Sequence, residues 1–143
     1  MGLDAVVYRN IENLSEPMRA QVKLVDPLTG EIDFVNGSML SFHTESLFAV
    51  DVRIGNISAV AWLREQVESR WANKCSLILN AVLYSGIHSG DFIPLDQVRR
   101  MKLEMAGIDR TGGSIPVVLA TFLDQMNQLV NAAETERNAI LFH

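Results

Sequence analysis

The stretch Gln21-Val22-Lys23-Leu24-Val25, Asp26-Pro27-Leu28-Thr29-Gly30, Glu31-Ile32-Asp33-Phe34-Val35 reads as two short strands around a turn. Pro27 presets φ for a turn, and Gly30 can take the positive φ that closes a bulged hairpin. Val22 and Leu24 then share one face, as do Ile32 and Phe34, while Lys23 and Asp33 point away. The spacing thus predicts strands over 21–25 and 31–35.

Upstream, Leu3 to Arg9 is short, β-branched and aromatic and predicts a strand over 3–9. Its successive apolar residues Ala5, Val6 and Val7 place it in the interior of a sheet, covered on both faces. The stretch Asn10 to Arg19 is polar. Downstream, Asn36-Gly37-Ser38 breaks the pattern, and residues 48–54 supply either a fourth strand or an irregular connection.

From Asn56 the period changes. Asn56 is a good N-cap, and Val60, Leu63, Val67 and Trp71 repeat at helical spacing, which predicts a helix over 57–71 with Arg64, Glu65 and Glu68 on its wet side. Trp62 and Trp71, nine residues apart, point in opposite directions. Cys75 to Tyr84 is almost wholly apolar, so periodicity cannot separate helix from strand; its length favours a helix over 76–84. Pro94, early Asp96, later Arg99, Arg100 and Lys102, and Gly107 just past the end predict a helix over 94–106. Ser114 and Pro116 open the longest helix, 115–133, with Val118, Phe122, Met126, Leu129 and Ala133 as its stripe. The tail from Asn138 to His143 has no clear pattern.

Strands first and helices second mean an α+β fold, an N-terminal antiparallel sheet packed with about four helices. The chain has 143 residues, near the commonest size of one domain, and no repeat or linker divides it, so a single domain over 1–143 is expected. With 48% hydrophobic and 20% charged residues it has the composition of a folded globule. Cys75 is the sole cysteine and has no partner for a disulfide, which suits a reducing cytoplasm. The N-terminus lacks the basic region of a secretory signal, and no apolar run reaches the roughly 20 residues of a membrane span.

The net charge is −5, the wrong sign for tracking a phosphate backbone, so direct nucleic-acid binding is not expected. Its distribution is uneven. Residues 1–51 hold eight acids against three bases, whereas residues 52–143 hold nine of each. The whole imbalance belongs to the strand-rich part, where Asp26, Glu31, Asp33, Glu45 and Asp51 form an acidic face suited to steering a basic partner. The plain alternative is a solvated surface charged for solubility.

Ser85-Gly86-Ile87-His88-Ser89-Gly90-Asp91 collects hydroxyls, an imidazole and a carboxylate in one loop. A triad there would need His88 to reach a serine while Asp91 orients it, which close neighbours in one loop seldom achieve, and there is no Gly-x-Ser-x-Gly elbow. Ser85 and Ser89 suit turn caps, and His88 is placed to bond Asp91 and fix the loop. No catalytic residue is assigned. His43, His88 and His143 lie far apart, with no Cys-x-x-Cys or His-Glu-x-x-His, so neither metal nor cofactor is expected. Thr111-Gly112-Gly113-Ser114 lacks the ending of a phosphate loop.

Met1 to Asn10, the Asp26 to Gly30 turn with Glu31, Ile54 to Arg64, and the Ser-Gly-x-His-Ser-Gly-Asp loop with Leu83 and Tyr84 before it together resemble a family of small bacterial immunity proteins of polymorphic toxin systems. The resemblance spans roughly residues 1–105. It implies a cytoplasmic protein that binds and occludes a cognate protein toxin stoichiometrically, without catalysis or cofactor. A toxin that acts on nucleic acid would present a basic active site, which an acidic inhibitor can cover. Two rival readings stand beside it: a small hydrolase or transferase using His88 and Asp91 with Ser85 or Ser89, and a homodimeric adaptor that buries Trp71 or Ile140-Leu141-Phe142 between subunits.

Overall fold

A computed structural model describes residues 2–35, 47–111 and 113–143. His43 and Glu45, and the Asn36-Gly37-Ser38 break, lie outside the described residues. The fold is α+β, as the sequence predicts. Its strands are β1 (Leu3–Tyr8), β2 (Val22–Asp26), β3 (Glu31–Phe34), β4 (Phe48–Gly55), β5 (Phe92–Ile93) and β6 (Ile140–Phe142), and its α-helices are α1 (Glu16–Arg19), α2 (Ile57–Trp71), α3 (Leu95–Ala106) and α4 (Val117–Glu136).

The strands do not form one N-terminal sheet. They divide into a four-stranded sheet of order β4-β1-β6-β5 and a separate two-stranded ribbon, β2-β3. β1 is interior as expected, paired antiparallel with β4 on one side and β6 on the other. The C-terminal tail, patternless in the sequence, is the strand that fills the place beside β1. Asp4 and His143 exchange backbone hydrogen bonds of 3.1 and 3.0 Å at its end. With β1 flanked on both sides, the hairpin has no edge of β1 left to join.

Leu3, Ala5 and Val7 of β1 join Ile93, Ile140 and Phe142 in the main core, against Val60, Leu63, Val67 and Trp71 of α2. Asn56 caps that helix through its side-chain oxygen, 2.8 Å from the Ala59 N–H. The α4 face in the core is Leu119, Phe122, Leu123, Met126, Leu129, Val130 and Ala133. Val118, expected in the stripe, instead faces solvent, because the helix begins at Val117 and turns Leu119 inward. Trp71, Ile140 and Phe142 are buried in the chain's own core. Of the residues the homodimer reading names, Leu141 alone is half-exposed. Among the described residues no helix is long and apolar enough to cross a membrane.

The apolar run after Cys75 is helical, but Ile78–Val82 forms a π-helix instead of the expected α-helix. Its ends are satisfied by charged side chains from neighbouring helices. Both Glu104 carboxylate oxygens of α3 accept the N–H groups of Leu77 and Ile78 at 3.0 Å. Arg64 of α2, expected on the wet side, is half-buried and donates to the carbonyl of Leu79 at 3.0 Å. These contacts answer the helix-or-strand ambiguity with tertiary partners that no local pattern encodes.

A smaller cluster of Leu14, Met18, Val22, Ile32 and Phe34 holds the ribbon, with Tyr8, Ile11 and Leu47 around it. The nominally polar stretch 10–19 supplies its floor as a 3₁₀ turn (Ile11–Asn13) followed by α1. The register shifts between Leu24 and Asp26. Leu24, paired with Ile32 just before that shift, is 48% exposed and does not share the burial of Val22.

The ribbon turn locks against the end of α4. Gly30 has φ of 77°, and a Cβ there would overlap the Asn138 amide. That amide cannot simply move aside, because its Nδ2 donates to the Tyr8 carbonyl at 2.8 Å. Gly30→Ala is expected to cost about 2–3 kcal/mol, the left-handed strain plus a lost hydrogen bond. Gly90→Ala, at φ of 96° with open space around it, should lose only the strain, about 1 kcal/mol. Urea midpoints compare the two; equal losses would show that Asn138 does not clamp the turn.

Candidate functional site

The ribbon brings three of the predicted acidic residues together. Asp26 and Glu31 are cross-strand neighbours, and Asp33 lies opposite Lys23. Asp26 Oδ1 accepts the Leu28 N–H at 2.8 Å and Asp33 Oδ1 the Phe34 N–H at 2.8 Å, so both side chains also shape the turn and strand. The phenol of Tyr8 is raised above its ordinary pKa, first by burial and then by the carboxylates of Glu31 and Asp33. Asp51 is exposed but belongs to β4, opposite Val6, and so sits on the main sheet and not the ribbon. Glu45 lies outside the described residues.

Charge alone is not what distinguishes the ribbon. Leu24, Val25, Leu28 and Val35 stand 48%, 49%, 72% and 46% exposed on the same short element. Exposed apolar side chains and carboxylates thus share this one short element. The sequence pattern could not reveal these side chains as exposed, because burial of Leu24 was its natural inference.

In the Ser85–Asp91 loop, the imidazole of His88 is buried between Tyr84 and Phe142, at ring-centre distances of 4.4 and 4.5 Å. Its Nε2 lies 2.8 Å from the Val82 carbonyl, which fixes that nitrogen as the donor in the neutral ring. Its Nδ1 makes no hydrogen bond and lies 3.6 Å from Asp91 Oδ2. Neither ring nitrogen engages a serine. Ser85 Oγ accepts the Ile87 N–H at 3.1 Å, and Ser89 is exposed. Tyr84 donates its hydroxyl to Asp91. Gly90 and Asp91 bind the backbone of Phe142 at 2.7 and 2.9 Å.

These contacts use His88 to close the π-helical segment onto β6. They provide no relay from an imidazole to a nucleophile, which the hydrolase reading requires. Cys75 is fully buried, its thiol pushed up to about 11 by burial and then by Glu104, so it stays protonated at neutral pH. Among the described residues no group of three or more His, Cys, Asp or Glu side chains is gathered to hold a metal ion. No family model, curated protein or solved structure matches the chain.

Proposed function

We propose that this chain is a non-catalytic binding protein that neutralises a basic protein partner by occluding it, as in the bacterial toxin immunity family that its sequence resembles. The observation that carries the reading is the β2-β3 ribbon, where Leu24, Val25, Leu28 and Val35 stand exposed beside Asp26, Glu31 and Asp33. Apolar side chains supply area to desolvate, and carboxylates select a partner by sign and steer its approach. The ribbon is anchored at Tyr8 and Asn138 and by its own small core, so it is held ready before any partner arrives. A toxin with a cationic active site, in the bacterial cytoplasm, is the partner that the acidic balance and the resemblance favour together.

Pull-down of the tagged chain from lysate of its source organism, with titration of any stoichiometric partner, tests this reading. Recovery of a toxin domain at a near one-to-one ratio, whose activity falls as the complex forms, is the expected result. Recovery of the chain alone, or of a partner whose activity is unchanged in the complex, overturns it.

A further inference from the structure

A second, chemically different surface lies at the other end of β1. The ribbon packs around Tyr8, whereas the Ser85–Asp91 loop bonds to Phe142 beside Ala5 and lines a cleft with Gly2 and Asp4. Asp91 of this loop and its flanking residues Tyr84 and Phe92, with Asn80, line an open pocket of about 390 Å³.

Its parts are arranged for an organic cation. One face of the Tyr84 ring is stacked on His88, and the residue, 45% exposed, lines the pocket. Phe92, on edge strand β5, is 38% exposed. The Asp91 side chain is 56% exposed, and among the described residues no lysine or arginine pairs with it. Tyr84 holds the carboxylate through its hydroxyl, and two backbone bonds to Phe142 hold the loop behind it. A fixed carboxylate beside two aromatic rings and an amide matches a planar guanidinium, which stacks on a ring while donating to carboxylate and amide oxygens.

We infer that the Tyr84-Asp91-Phe92 pocket receives an arginine side chain of a protein partner. The inference extends the proposed binding function in its choice of a protein partner, but the pocket's affinity for guanidinium can be measured without that partner or the ribbon. The anchor lies within the region where two hydroxyls, an imidazole and a carboxylate suggested catalysis, and gives Asp91 a recognition role in its place.

The test is an NMR titration of the intact chain with Nα-acetyl-arginine amide, using the uncharged Nα-acetyl-citrulline amide as the matched probe. Saturable shifts at Tyr84, Asp91 and Phe92 in the millimolar range are expected for arginine, with citrulline at least 10-fold weaker. Asp91→Asn should weaken arginine binding about 10-fold while leaving the rest of the spectrum in place. No saturable shift at these residues, or equal binding of the two probes, overturns the inference. The two probes are compared on the unaltered protein, so the result stands even if Asp91→Asn disturbs the loop. Failure here would leave the ribbon reading intact, because neither probe reports on the ribbon.

Discussion

Phe142→Ala is expected to lower stability by about 3–5 kcal/mol, a large part of the 5–15 kcal/mol typical of a domain. Phe142 is fully buried in β6, and the His88 ring packs against it in a T-shaped arrangement at 4.5 Å between centres. Truncation leaves a cavity that the sheet cannot collapse to fill, since β6 is pinned between β1 and β5. Its backbone also anchors Gly90 and Asp91, so disorder in the loop should accompany the loss. Leu141→Ala, on the half-buried side of the same strand, should cost about 1 kcal/mol. Urea unfolding followed by circular dichroism measures both. The deficit should not depend on protein concentration, since Phe142 is covered by its own chain; a concentration-dependent deficit would move the residue to an intersubunit contact. A loss below 1 kcal/mol for Phe142→Ala would remove β6 from the sheet.

The contrast between α2 and β6 shows what local pattern can carry. In α2, four apolar residues at helical spacing and an asparagine cap all lie within one segment, so the sequence read alone specifies the helix and its buried face. Ile140-Leu141-Phe142 has no period, and its partners Ala5 and Val6 stand at the other end of the chain. The π-helical segment was legible as buried and apolar, but its geometry depends on Glu104 and Arg64 reaching in from α3 and α2. The hairpin was visible in Pro27 and Gly30, yet its separation from the main sheet follows from Leu14 and Met18, which sit in a stretch that reads as polar. At the candidate sites, residue type was legible and accessibility was not. The acidic bias identified Asp26, Glu31 and Asp33, while the exposure of Leu28 and Tyr84 depends on packing that composition does not encode.

Replacing Asp26, Glu31 and Asp33 together by Asn, Gln and Asn should slow association with the captured basic partner about 10-fold at low salt and flatten the salt dependence of the rate. The substitutions are isosteric, and an asparagine oxygen can still accept the Leu28 and Phe34 N–H bonds that Asp26 and Asp33 now accept, so the ribbon should persist. An internal readout accompanies the kinetics. Glu31 and Asp33 both raise the Tyr8 phenol, and neutralising them should bring its pKa part of the way down, with the larger contribution of burial remaining. Tyrosine ionisation followed by NMR therefore reports that the carboxylates have been silenced in a folded ribbon. If Tyr8 moves and the association rate does not, the acids serve solvation and the steering proposal fails. Leu28→Ser divides the surface differently: a 72% exposed leucine contributes little to folding, so an effect confined to the dissociation rate would assign it to the contact and leave steering to the carboxylates.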